Sequence, residues 1–349
     1  MSAVLLTRAA LVEAPDDLDE LIEFFHARRW SDGLPIVPPT RERVERMLAC
    51  TTRKSDEIIA NVAPSFGAAT VERIAINAVM AGCRADYLPV LIAAVQAMSA
   101  PEFNLQGIQA TTNPVAVWLV VNGPMAEQLG VNGGMNCLGQ GTVANATLGR
   151  ALRLIQQNIG GALPGDMDRA THGQPGKFSF CCSENEAQSP WESLHVERGF
   201  KRDQSTVTVI GAAGTHNMNI HAKDADDLLR VIADTMAFPT SNDYWLGGEP
   251  WLIISPEHAE ILRAGGLSKA DVKRRLWEES KLRASRMSKK ELMRTQIART
   301  AELGAVTEDT LLPASSEPEG IGIVVAGGPG THSVYVASFG DTRAVTREV

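Results

Sequence analysis

The sequence predicts an α/β protein in two lobes, with a helical N-terminal part followed by a Rossmann-like, mostly parallel sheet with crossover helices. Three observations lead there. Apolar residues recur at helical spacing over 1–100, and from about residue 103 short apolar runs separated by glycine- and asparagine-rich loops replace them. In the second half strand-like and helical segments alternate, the pattern of parallel strands joined by helices. A chain of 349 residues with 44% hydrophobic composition can bury a large core, and its length favours two lobes. The expected organisation is a mainly helical region over 1–100, a Gly/Asn-rich α/β lobe over 101–204 and a Rossmann-like lobe over 205–349.

Taken in order, Leu18, Leu21, Ile22 and Phe25 share a helical face, and Trp30-Ser31-Asp32-Gly33 suits the turn after it. The prolines of Leu34-Pro35-Ile36-Val37-Pro38-Pro39 remove amide donors and favour extended backbone. Thr40 can cap the next helix. Val71, Ile74, Ala75, Ala78 and Val79 form another apolar stripe, and Pro89 fits the first turn of a helix over 88–98. Residues 115–121 read as a buried strand. Leu148, Leu152, Ile155 and Ile159 mark a helix that Gly160-Gly161 would end. Later strands are expected over 205–210, 251–254 and 321–325, the last of these closing the set. Helices are expected over 224–236 and 256–263, with Ser268 capping another, and 307–319 reads as a polar surface linker.

Composition excludes several classes. The apolar stretch over 88–98 is too short for a bilayer, and the apolar run at 3–6 soon meets Glu13, Asp16 and Asp17. No membrane association and a cytoplasmic location are expected. Five cysteines are an odd number in a chain that needs no staples, so free thiols are expected. A formal charge of −8 argues against nucleic acid as a partner. The basic stretch 273–299 holds ten Lys/Arg but interleaves Leu276, Trp277, Leu282, Met287, Leu292 and Ile297, which reads as a solvated amphipathic helical pair.

The strongest chemical feature is an internal resemblance. Gly211-Ala212-Ala213-Gly214-Thr215-His216 parallels Gly327-Gly328-Pro329-Gly330-Thr331-His332, each after a strand-like run, with the two histidines 116 residues apart. If both are turns beyond strand ends, Gly211, Gly214, Gly327 and Gly330 would present backbone N–H groups to an anion, and His216 and His332 would exchange protons near neutral pH. The alternative is that the glycines only make turns and each imidazole bonds its own loop. Ser255-Pro256-Glu257-His258 sits at a third strand exit.

A second constellation runs from His172-Gly173-Gln174-Pro175-Gly176-Lys177 through Cys181-Cys182-Ser183-Glu184-Asn185-Glu186 to Trp191 and His195. It supplies imidazole, amine, thiol and carboxylate within a short span. Glu184 and Glu186, at alternate positions, could hold a divalent metal or divide acid and base roles. Cys182 is a candidate nucleophile, although adjacent cysteines are not a C-x-x-C redox pair. Gly139-Gln140-Gly141-Thr142-Val143-Ala144 fits a dinucleotide pattern but lacks a leading strand. A helix start there could still receive an anion, with Asn136, Thr142 and Asn145 nearby. No phosphate-loop, zinc-protease or serine-hydrolase motif occurs.

Trp30-Ser31-Asp32-Gly33-Leu34-Pro35-Ile36-Val37-Pro38-Pro39-Thr40, Ala75-Ile76-Asn77-Ala78-Val79-Met80-Ala81-Gly82-Cys83, Ser189-Pro190-Trp191 and Leu194-His195-Val196 together resemble a widespread bacterial family associated with UGSC-type proteins, which include thiol and selenol versions. The resemblance implies a bacterial enzyme or enzyme subunit working with a separate UGSC-type thiol or selenol protein. This chain has no Gly-Ser-Cys motif of its own.

The expected function is acid–base chemistry on a small polar, carboxylate-bearing substrate, lyase- or hydrolase-like and compatible with a divalent metal. In it, His216, His332, Glu184, Glu186 and His195 would do the work. The alternatives are thiol chemistry through Cys182 or Cys137, and a noncatalytic small-molecule-binding subunit. A homo-oligomer is compatible with each.

Overall fold

The computed structural model describes residues 9–349 and is mixed α/β. The N-terminal part holds α1 (Leu18–Ala27), α2 (Arg41–Leu48), a hairpin of β1 (Ile58–Val62) and β2 (Gly67–Thr70), α3 (Val71–Ala81), α4 (Leu88–Met98) and α5 (Leu105–Ala110). Then come β3 (Ala116–Asn122), α6 (Pro124–Leu129), α7 (Val143–Asn158), β4 (Cys181–Ser183) and α8 (Leu194–Glu197). The remainder runs β5 (Thr206–Asn219), α9 (Ala225–Met236), α10 (Asn242–Leu246), β6 (Trp251–Ile254), α11 (Pro256–Ala264), α12 (Lys269–Glu279), β7 (Leu282–Arg283), α13 (Lys289–Leu303), β8 (Leu311–Leu312), β9 (Gly322–Val325), β10 (His332–Ser338) and β11 (Val345–Glu348). Helix starts form where the sequence supplies caps: Thr40 Oγ1 accepts from Arg43 N, Asp224 from Asp227 N, and Ser268 forms a capping box with Asp271.

The main sheet has the order β4-β3-β5-β10-β6-β9, with β11 beside the first half of β5. Only β3/β4 and β6/β9 are parallel, and the other pairings are antiparallel. The expectation of a mostly parallel, Rossmann-like sheet is therefore corrected to a mixed one. Two segments account for the difference. β5 does not stop at 210 but continues to Asn219, pairing β3 with its first half and β10 with its second. The strand over 322–325 is not the last, because the chain turns back at 326–331 and returns as β10. One hydrogen-bonded sheet thus crosses the expected boundary at 204/205, and two lobes are not evident.

The sheet curls until its edge strands meet. The chain leaving β4 donates Asn185 N to Val325 O at 2.7 Å, and Gly327 N reaches Gly133 O at 2.8 Å. Side-chain alternation then gives each face a separate core. The concave face carries Trp118, Phe180, Cys182, Trp251, Ile253, Val324 and Val336. Trp118 stacks on Phe180 at 5.4 Å and meets Trp251 edge-on at 6.0 Å. Each buried indole removes roughly 200 Å² from water, on the order of 5 kcal/mol of gross transfer free energy. On the convex face Val117, Leu119, Val121 and Val207 pack with α3, α4 and α7, while Leu252, Ile254, Ile323 and Tyr335 pack with α9, α11 and α12.

Two expectations about the polar segments change in detail. The basic stretch is largely the pair α12 and α13, but not all its cations face solvent. Arg299 is buried and donates to Tyr244 O and Pro313 O, and Lys273 pairs with Glu197. The segment 307–319 contains β8, which pairs with β7 and buries Leu312 beside Tyr244 and Leu282. Among the described residues no single helix is long and apolar enough to cross a membrane.

Asp243 ties α10 to β10. Its buried carboxylate accepts from Ser241 Oγ and Tyr335 Oη at 2.9 Å, from Ser338 N at 3.2 Å and from Ser338 Oγ. Burial outweighs these donors and pushes its pKa up to about 6. The folded state therefore favours the protonated form. Its contribution is fully present below the ordinary value of 3.8 and is lost as pH rises through about 6. Denaturant unfolding should show wild type losing about 1–1.5 kcal/mol between pH 5 and pH 7 relative to Asp243→Asn. A parallel pH dependence in the two proteins would contradict this.

Candidate functional site

The structure does not bring the two Gly-Thr-His segments into one cavity. His216 lies inside β5 opposite Tyr335, and His332 opens β10 opposite Asn219. Alternation puts His332 with Asn217 and Val334 on one face of this ribbon and His216 with Tyr335 on the other. His332 Nδ1 lies 3.2 Å from the Asn217 amide, a local contact. Gly211 and Gly214 are within β5 rather than in a turn, since glycine accepts extended backbone and the neighbouring strands supply partners. Gly327 and Gly330, at φ 106° and 146°, do form a loop that requires glycine. The apparent repeat is one strand and one strand–loop–strand. His258 is a buried brace: Nδ1 lies 2.7 Å from Ser333 Oγ and Nε2 donates to Ile220 O at 3.0 Å, with burial lowering its pKa.

The Gly/Asn loop before α7 is also internally satisfied. Thr142 Oγ1 donates to Gly130 O at 2.7 Å and caps α7. The buried Asn145 amide donates to Asn132 O, Cys137 O and Cys181 O. Asn136 takes a left-handed conformation at φ 60°, and its side chain lies so close to Gly139 that a Cβ there would clash with it. These contacts hold the loop in place, although Asn136 and Thr142 themselves remain exposed at its surface.

Glu184, Glu186 and His195 do converge. Asn122 Nδ2 bridges the two acids, donating to Glu184 Oε2 at 2.7 Å and Glu186 Oε1 at 3.0 Å. Glu184 Oε2 also accepts Leu194 N at 2.7 Å, and Glu186 Oε1 accepts Gly123 N at 2.7 Å. His195 is fully buried, with Nδ1 at 3.0 Å from Ser193 Oγ and 3.8 Å from Glu186 Oε1. Burial raises the Glu184 pKa, opposed chiefly by the charge of Lys269. The cluster sits where β3 and β4 end, at the seam of the curl, and lines no part of the large cavity described next. Among the described residues no group of three His, Cys, Asp or Glu is placed to hold a metal ion. Adjacent positions in β4 send Cys181 into the convex core and Cys182 into the concave one. Both are buried with raised pKa values, Cys181 by burial and Cys182 first by its hydrogen bond with Cys137.

The open polar site is a basin of about 800 Å³ between the 26–33 turn, α7 and the 163–178 loop. Its floor carries Asp168, whose Oδ2 accepts Arg153 at 3.1 Å and whose Oδ1 accepts Lys177 Nζ at 2.7 Å. These side chains are only 6%, 10% and 13% exposed. Burial lowers the pKa of both Lys177 and Arg153 against the pull of Asp168. The rim carries the exposed side chains of His26, Arg29 and His172. Helix α7 positions one wall: Gln157 Nε2 donates to Arg29 O at 3.1 Å and Ser31 O at 3.0 Å, and Arg150 clamps Asp32 with two bonds of 2.8 Å. Three cations that line it, Arg29, Arg153 and Lys177, face two carboxylates, Asp32 and Asp168, and Asp32 is already paired with Arg150 outside the lining, which leaves excess positive charge around the cavity.

His172, Lys177 and the 30–33 turn are visible in the sequence as candidate segments, whereas Arg153 and Asp168 are not. Arg153 stands beside Leu152 and Leu154, and a cation inside that apolar run is the available signal that a buried counter-charge must lie nearby. In comparisons with known proteins the chain matches no family model, no curated protein and no solved structure.

Glu184→Ala should cost about 2–4 kcal/mol in denaturant unfolding, because Leu194 N and Asn122 Nδ2 lose a buried acceptor. Glu184→Gln keeps an acceptor oxygen and should cost about 1 kcal/mol. A loss below about 1 kcal/mol in Glu184→Ala would show that the carboxylate does not hold the seam.

Proposed function

We propose that the protein is an enzyme that binds a small carboxylate-bearing molecule in the basin and transfers a proton to or from it. The observation that carries this is the floor: Lys177 and Arg153 share one buried carboxylate, Asp168, beneath a cavity of about 800 Å³. One carboxylate cannot neutralise two cations, and in a partly desolvated site the surplus favours an anion. Arg29 at the rim offers a planar fork suited to a carboxylate.

Lys177 is the proton-transfer group. Its lowered pKa increases the neutral fraction at a given pH, so its capacity as a base appears below the ordinary lysine value of 10.5. Asp168 fixes the amine, and Arg153 keeps Asp168 paired when Lys177 gives up its proton. His172 lies exposed on the rim of the same cavity. The Trp30-Ser31-Asp32-Gly33 stretch, one of those that carry the family resemblance, supplies Ser31, Asp32 and Gly33 to the basin.

NMR titration with acetate, malonate and citrate, against their neutral amides, tests the binding step. The acids should bind and the amides should not, with Arg29→Ala weakening binding about tenfold, or ~1.4 kcal/mol. Exchange of deuterium from solvent into the carbon next to the bound carboxylate should disappear in Lys177→Met, which retains the Arg153–Asp168 pair and hence the fold. Equal binding of acids and amides, or exchange indifferent to Lys177, would refute the assignment.

A further inference from the structure

Strand β5 is paired on both sides over its first half and on one side only over its second. Toward β3 its pairing runs from Thr206 to Ala212 and stops. On the other side β11 covers 206–209, and β10 then holds Gly214 to Asn219 in unbroken register from Ala337 to His332. Strand β3 begins only at Ala116, opposite Ala212, and Gln174 fills the corner, donating Nε2 to Pro114 O at 2.6 Å and to Ala212 O at 2.9 Å. Beyond that corner, among the described residues, no strand lies on the β3 side of 214–219, and the backbone of this stretch bonds only to β10.

An open strand edge about 20 Å long is a row of unmet amide and carbonyl groups, which proteins ordinarily guard with lysine, proline, a bulge or a covering element. None of these guards 214–219. The register shift between Ala212 and Gly214 lies before this edge and not in it. No Asp, Glu, Lys, Arg or Pro occurs between Asp203 and Lys223, in a chain of which 21% is charged. Thr215, His216 and Asn217 are exposed in succession, so both faces of the strand meet solvent together with its edge. A Cβ added to Gly214 would meet nothing within 4 Å.

We infer that this edge pairs with the same edge of a second copy of the chain, in an antiparallel, two-fold symmetric ladder that joins the two sheets. Main-chain hydrogen bonds supply the attraction, as in any strand addition. Two-fold pairing sets a central residue, His216 or Asn217, opposite its own copy, an arrangement that requires no like charges to meet across the ladder. The strip 204–222, without a carboxylate, ammonium or guanidinium group, meets that condition. It also offers nothing to a partner selected by opposite charge, which favours the self-paired edge. Six residues a side bury less surface than a tight complex needs, so the dimer forms in the micromolar range. Gln174 lines the basin as well as capping the corner, and the contact therefore abuts the loop that walls the proposed site.

Sedimentation velocity of the full chain from about 1 to 100 µM tests this, and the weight-average mass should climb toward twice the monomer value. Thr215→Lys with Asn217→Lys, and Thr215→Asp with Asn217→Asp, each set like charges against themselves across the two-fold and should weaken dimerisation at least about tenfold. Mixing the lysine and aspartate proteins should restore a dimer containing one of each, visible as the mixed species in native mass spectrometry. At about 1 µM, where all three proteins are monomers, their melting temperatures should agree, which shows that the variants fold. A wild type still monomeric at about 100 µM would leave the edge to a strand of another protein and overturn the inference. A dimer that both variants keep at full strength, or a mixture that stays monomeric, would overturn it equally.

Discussion

The structure depends on a seam where the two edges of the curled sheet come together. Strand β4 leaves the sheet at one edge and β9 at the other, and Asn185 N closes the gap to Val325 O. Glu184 reinforces the join from beneath, taking Asn122 and Leu194 N on one oxygen, with Val325 N at 3.5 Å from the other. Once the edges meet, the concave face must fill itself with side chains of its own strands and loops, which explains the Trp118, Trp251 and Phe180 cluster. The helices flanking the sheet pack on the convex face, so the sheet has different chemistry on its two sides. The loops that bring Gly133 and Gly327 together gather at the same seam.

Helix α7 joins this sheet to the proposed site. Its apolar residues Leu148, Leu152 and Ile155 pack in the convex core, while Arg150, Arg153 and Gln157 reach toward the basin and its wall. The cost of burying Arg153 is offset by Asp168 and by the Ala162 carbonyl at 2.9 Å. Lys177 then shares a carboxylate already engaged by a stronger base, and for that reason its amine is the group at the floor that burial can discharge. In the function we propose, the basin combines anion attraction with a proton acceptor, two properties that a surface cluster of lysines would not supply together.

The helices were the legible part of this chain. Their stripes and caps, at Thr40, Asp224 and Ser268, depend on residues a few positions apart, which a sequence displays directly. The sheet was less legible, because its pairings link residues far apart and because glycine suits both turns and extended strands. Gly211 and Gly214 look like a loop beside His216 yet belong to β5, whereas Gly327 and Gly330 form a true loop beside His332. The proximity of Glu184, Glu186 and His195 followed from their closeness in sequence. Their place at a structural seam did not, since it depends on Asn122 and Val325 from distant strands. Asp168 was hidden for the same reason: an aspartate in a polar stretch acquires meaning only when Arg153 arrives from another element.

The most direct test of the central claim is a crystal structure of the protein soaked in malonate at several concentrations. The predicted result is one carboxylate in the basin, within hydrogen-bonding distance of Lys177 or Arg29, with occupancy that saturates as malonate increases. A basin filled only by water while malonate occupies the loop beside His332, or binds nowhere, would contradict the account.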